Sequence, residues 1–153
     1  MGFLKNKALT MLGEVLVNTI PFNRHIGLHY QSVCEEECVI TFEMKPELVG
    51  NYIQGILHGG VISAALDMVG GTMAAVGILN DNPATHLNEL KNKLSKLSTI
   101  DIRVDYLRPG RGERFFAKAR LLRTGSKIAV VRMQLVNQDD IEIAVATGTY
   151  MVG

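Results

Sequence analysis

One run constrains the fold more than any other: HGGVISAALDMVGGTMAAVG, His58 to Gly77. From Val61 to Leu79 the only charge is Asp67. A segment that apolar must be shielded from water on most sides, by lipid or by protein. Its length is close to the roughly 20 residues of a membrane span. An acid at the midpoint is costly in lipid, however, and the side chains are mostly small, with few Leu, Ile or Phe. The run therefore predicts a soluble helix over about 59–79, buried on most sides, and no membrane span. Small side chains let strands approach it closely, and that wrapping offsets the poor helix propensity of glycine.

The flanks supply the strands. An amphipathic helix is expected over 1–20, with no apolar core or cleavage site of a signal peptide. Gly2 does not announce myristoylation, because Asn6 stands where Ser or Thr is needed. Residues 27–44 alternate and carry β-formers, which suits two strands joined near Glu35–Glu37. Residues 46–54 read as a loop. After the long helix, Asn80-Asp81-Asn82-Pro83 is turn chemistry. A short inserted helix follows over 84–97, with Leu87, Leu90, Leu94 and Leu97 on one stripe. Four strands complete the chain, the first with Ile100, Ile102, Val104 and Tyr106 on one face. The order predicts an α+β fold in one domain, residues 1–153, with one antiparallel sheet covering one helix.

Composition narrows the partners. A net charge of +1 gives no bulk attraction to nucleic acid, and nine Phe and Tyr residues without Trp make poor base-stacking platforms. Cys34 and Cys38 flank three glutamates without further Cys or His ligands nearby. They read as plain thiols of a reducing, cytoplasmic setting, with no metal and no cofactor.

Asp67 by itself is as well explained by a hydrogen-bonded core carboxylate or an interface acid as by chemistry. His58-Gly59-Gly60 adds a second clue. At a helix start the backbone N–H groups are unpaired and the dipole is positive, so Gly59 N–H is a candidate oxyanion donor. A tight turn capped by His58 is the plainer alternative. Asp67 lies nine positions after His58, roughly 13 Å along one helix. A catalytic contact needs about 3 Å. A catalytic Asp67 therefore requires two antiparallel helices from two chains, with two sites per dimer.

The run GILHGGVISAALD resembles the PaaI-like hot-dog-fold acyl-CoA thioesterases, marked by Gly-x-x-His-Gly-Gly and an acid nine residues after the His. STIDIRVDYLRPGRGERFFAKARLLRTGSK resembles the same group's strand–turn–strand signature. More narrowly, VGNYIQGILHGG, TIDIRVDYLRPGRGERF and the terminal TYMVG resemble the YigI-type medium- and long-chain acyl-CoA thioesterases of bacteria. The resemblance covers nearly the whole chain. It implies a hot-dog fold and hydrolysis of an acyl-CoA thioester to free CoA and a carboxylic acid. It casts Asp67 as nucleophile or general base, Gly59 as oxyanion donor, His58 as support for that turn, and Thr99 as a hydroxyl beside the acid. For Thr99 an ordinary β-branched strand residue is an equal alternative. Many relatives carry Asn six residues before the His, where this chain has Tyr52. Gln54 is the favoured substitute amide and Asn51 the alternative. Arg108, Arg111, Arg123 and Lys127 are candidates for the CoA phosphates. The implied assembly is a homodimer with intersubunit sites, or a homotetramer built from two dimers. A hot-dog hydratase or dehydratase, and a non-catalytic acyl-CoA-binding module, are the competing readings.

Overall fold

The structure, a computed structural model, describes residues 2–81 and 87–153. Its centre is α3 (Gly59–Asp81), a 23-residue helix. Six strands form one antiparallel sheet around it: β1 (His29–Val33), β2 (Cys38–Glu43), β5 (Ser98–Tyr106), β6 (Arg114–Thr124), β7 (Ile128–Asn137) and β8 (Glu142–Met151). Their order is β1-β2-β6-β7-β8-β5, so β1 and β5 are the edges. This is the wrapped-helix arrangement expected of a hot-dog fold. A pair of short strands, β3 (Val49–Asn51) and β4 (Ile56–Leu57), makes a separate hairpin before α3.

Alternation in the strands builds the core. Ile40 and Phe42 of β2, Phe115, Ala117 and Ala119 of β6, and Val131, Met133 and Leu135 of β7 are all buried on the face toward α3. The rings of Phe42 and Phe115 stack with centroids 5.2 Å apart. From α3, Ile62, Ala65, Leu66, Val69 and Met73 fill the concave side at helical spacing. The most apolar window of α3 is long and hydrophobic enough to cross a membrane, yet 67% of it is buried inside the protein. The sheet supplies the shielding that the sequence demanded.

Several boundaries differ from the sequence reading. The helix expected over 1–20 is α1 (Gly2–Asn18), and a second short helix that the sequence reading did not include, α2 (Pro21–Ile26), follows it. Pro21 lacks the N–H that would continue α1 and suits the first turn of α2. Asn23 is buried and donates from Nδ2 to Val17 O at 3.0 Å, closing the end of α1. The central helix runs two residues past Leu79, so Asn80 and Asp81 are helical. The inserted helix is α4 (Leu87–Ser95); residues 84–86 of its expected span lie outside the described residues. Leu90, Leu94 and Leu97 of its stripe pack against the core. The β3–β4 hairpin occupies what reads as loop in the sequence, because its strands are too short to show a period. Both cysteines are free thiols; burial and its neighbours Cys34 and Glu37 push buried Cys38 up to about 12, whereas Cys34 is exposed.

Gly70 marks the tightest helix–sheet approach. A methyl there would collide with the Tyr150 hydroxyl and Met133 Sδ. Gly70→Ala is expected to cost about 1–3 kcal/mol by overpacking and to lower Tm by roughly 2–12 °C. Gly125→Ala, whose methyl would come no closer than 3.5 Å to Ile128 O, should stay within about 0.5 kcal/mol. Calorimetry of both variants tests the contrast; equal melting points would contradict it.

Candidate active site

Asp67 lies about two turns into α3, on a stripe with Gly60, Ala64 and Gly71 that the sheet leaves partly exposed. Its Oδ1 accepts the Thr99 hydroxyl at 2.8 Å and the Tyr150 hydroxyl at 3.2 Å. The same phenol sits 3.2 Å from the Asp67 carbonyl oxygen, so its single proton is shared. Oδ2 accepts no hydrogen bond among the described residues. The carboxylate is thus anchored through one oxygen and presents the other. Burial, followed by the charge of Asp67 and the hydrogen bond to it, pushes the Tyr150 phenol well above its ordinary value. Tyr150 remains a proton donor across the physiological range.

Thr99 reaches this position through a strand irregularity. Strict alternation puts Thr99 on the opposite face from Ile102, Val104 and Tyr106. In the pairing of β5 with β8, Thr99 is opposite Tyr150 and Asp101 is opposite Thr149, which leaves Ile100 as the extra residue of a bulge. The shift carries the Thr99 hydroxyl to the helix face. Ile100, expected on the inward face, is 48% exposed instead. Of the two readings of Thr99, the hydroxyl beside the acid is the one the geometry adopts.

The start of α3 forms the second part. The His58 backbone N–H donates to Leu48 O at 2.8 Å, which pins the turn to the element before it. His58 Nδ1 accepts the Gly60 N–H at 2.8 Å, a cap that leaves the ring proton on Nε2. Tyr106, at the far end of β5, donates its hydroxyl to Gly59 O at 3.1 Å. The Gly59 N–H has no partner among the described residues. It is the unpaired donor expected at the positive end of a helix. Eight residues of helix, roughly 12 Å, separate it from Asp67 in one chain.

The amide choice has a structural answer in part. Asn51 Oδ1 accepts the backbone N–H groups of Ile53 and Gln54 at 3.1 and 3.2 Å, so Asn51 shapes the hairpin turn. Gln54 Oε1 accepts from Arg111 Nη2 at 2.9 Å, and Gln54 O accepts from Arg111 Nη1 at 3.1 Å. Arginine can only donate, which fixes the amide with Oε1 toward Arg111 and leaves Nε2 without a partner among the described residues. Arg111 therefore holds the Gln54 turn. Arg108 donates to Glu142 O at 2.9 Å. The four cations expected together are divided. Leu57 N–H donates to Gly110 O, which places Arg108 and Arg111 by the start of α3. Arg123 and Lys127 flank Thr124 and Gly125, by Gly77 near its other end. Among the described residues no group of three His, Cys, Asp or Glu is placed to hold a metal ion.

Residues 54–144 match the family model of the thioesterase superfamily, more than half of the chain. The chain belongs to the thioesterase superfamily. It is 47% identical over 147 residues to the medium/long-chain acyl-CoA thioesterase YigI of Escherichia coli K12, covering 96% of this chain and 95% of that protein. A crystal structure from Shewanella oneidensis, of a protein related to the thioesterase superfamily, superposes with a TM-score of 0.93 at 41% identity over 98% of each chain. The E. coli PaaI protein shares the fold, with a TM-score of 0.75 at 16% identity over 97% of this chain and 95% of that one. In this thioesterase-superfamily chain, sequence reasoning missed Tyr150 and the hydroxyl contact of Tyr106. The inward alternation of β8 places Tyr150 in the core, but nothing in it names Asp67 as the partner of the phenol.

Tyr150 links stability to pH on the alkaline side. The unfolded chain loses the phenol proton from about pH 10 upward, while the native chain keeps it. The native state then binds more protons, so stability is complete below about pH 10 and declines as pH rises. Urea denaturation between about pH 9 and 11 is expected to show a steeper decline for the native sequence than for Tyr150→Phe. Equal slopes would remove the link.

Proposed function

We propose that the chain is an acyl-CoA thioesterase for medium- and long-chain acyl groups, working as a cytoplasmic homodimer with shared active sites. The observation that carries this reading is the Asp67 carboxylate: anchored through Oδ1, open at Oδ2, and set on the uncovered stripe of α3. A carboxylate that served only to satisfy the core would have both oxygens paired.

In one chain Asp67 and the Gly59 N–H are too far apart to act on one carbonyl. Two antiparallel α3 helices across a two-fold axis bring each Asp67 to the other chain's Gly59. The unpaired outer edge of β5, a strand that ends the sheet, supports such a pairing. Gly59 N–H and Gln54 Nε2 then polarise the thioester carbonyl from one chain. Asp67 of the second chain uses Oδ2 as base toward water or as nucleophile on the carbonyl carbon. On the base route Asp67 takes a proton from the attacking water, the C–S bond breaks and that proton passes to the CoA thiolate. On the nucleophilic route the C–S bond breaks as an acyl–Asp67 anhydride forms, and water then hydrolyses it, releasing the acid, regenerating the carboxylate and supplying the thiol proton. Arg108 stands on the same side as Gly59 for a CoA phosphate. The hairpin tip Tyr52–Ile53, 88% and 81% exposed, offers apolar surface to a long acyl chain. A hydratase mechanism pairing His58 with Asp67 is disfavoured, since His58 Nδ1 is committed to the Gly60 N–H.

Asp67→Asn is expected to lower kcat by several orders of magnitude while acyl-CoA binding persists; full activity would overturn the mechanism. Gly59→Pro removes the oxyanion N–H at a helix position that tolerates proline, with an expected loss of about 10²–10³-fold in kcat. Mixing the two inactive variants with subunit exchange should restore about a quarter of wild-type activity, one site in each heterodimer. Confirmed exchange without recovery would count against a shared site. Thiol release from a panel of acyl-CoAs should favour medium and long chains over acetyl; a preference for acetyl-CoA would contradict the substrate class.

A further inference from the structure

Tyr150 is the largest fully buried side chain of the core, and its ring end is where the packing is least ordinary. A methyl at Gly70 would fall on the phenol oxygen and meet Cζ at 2.8 Å. A methyl at Gly148 would lie 2.8 Å from Cε2 and 3.0 Å from that same oxygen. One glycine lies mid-helix and the other mid-strand, positions where glycine weakens the element. Both clear room at the hydroxyl, the one atom by which tyrosine exceeds phenylalanine. A buried hydroxyl is costly unless it is bonded. Here it bonds Asp67 Oδ1 and the Asp67 carbonyl, with Met133 Sδ at 3.5 Å as a soft neighbour.

We propose that Tyr150 is a positioning residue of the active site: its hydroxyl, acting with Thr99, locks Asp67 Oδ1 so that Oδ2 alone faces the substrate. This rests on the catalytic reading of Asp67. The two donors come from neighbouring strands, opposite each other in the β5–β8 ladder, and converge on one oxygen. Rotation of the carboxylate about its last bond would have to break both bonds together. With only Thr99 left, the carboxylate plane can pivot about its last bond, and the oxygen that faces the substrate spends part of its time out of line with the thioester carbon. The cost falls on turnover and spares binding, because Tyr150 is buried beneath Asp67 and out of reach of the substrate.

The test compares Tyr150→Phe with the native protein in steady-state hydrolysis of dodecanoyl-CoA, beside Asp67→Asn. The expected result is a kcat lower by about ten- to a hundredfold with KM within about twofold, the loss of one hydrogen bond to a charged group. Replacement of Tyr150 by 4-aminophenylalanine, the same shape with a donor restored, should recover part of that loss; it also carries the test if the phenylalanine variant does not fold. An unchanged kcat in Tyr150→Phe with Asp67→Asn inactive overturns the positioning role and leaves the catalytic reading standing. A kcat loss matched by an equal rise in KM, with no recovery by the amine, also overturns it. An active Asp67→Asn overturns the catalytic reading and this inference together.

Discussion

A carboxylate held by one oxygen on the open side of a buried helix is the constraint around which this chain is arranged. The Asp67 side chain, set in apolar surroundings, needs hydrogen-bond partners, and the side chains of its own helix supply none. The donors come from the two strands at one end of the sheet, Thr99 of β5 and Tyr150 of β8. Because those strands are neighbours, one ladder fixes both hydroxyls relative to each other. The helix must then lie close to β8, which is why Gly70 faces Tyr150 and Met133.

The same strand serves the other half of the site. β5 carries Thr99 at its start and Tyr106 at its end, and these touch Asp67 and Gly59 respectively. One strand therefore spans Asp67 and the first turn of α3 in a single chain, about 12 Å apart along the helix. It is also the edge strand, so whatever pairs with its free side lies next to both parts. The hairpin β3–β4 is held by Arg111 through Gln54. Rigid elements thus supply Asp67 and Gly59, while Gln54 sits on a short turn that hydrogen bonds from Arg111 and Asn51 make definite.

Much of this was legible in the chain. The uncharged run predicted a wrapped helix, since no other arrangement shields it without placing Asp67 in lipid. Alternation predicted the strands, and GILHGG followed by Asp67 marked the family. The spacing of His58 and Asp67 already set the two about nine residues of helix apart in one chain. Less legible were local devices without a period. The β3–β4 strands are too short to alternate, the short helix α2 has too few residues to show a period, and the four cations that are near in sequence fall in two separate groups. Arg111, read as a phosphate ligand, holds Gln54.

The sequence by itself determined the long helix, its burial and the main strands, and singled out Asp67 as the lone charge of that helix, because these follow from hydropathy period and from spacing, which are local. Only the tertiary structure decided what holds the acid. Thr99 and Tyr150 stand 32 and 83 residues from Asp67. Alternation alone turns Thr99 to the wrong face; a one-residue bulge at Ile100 reverses it. A bulge leaves no mark in hydropathy, since its cause is the register between two strands, and register is settled only when the sheet closes over the helix.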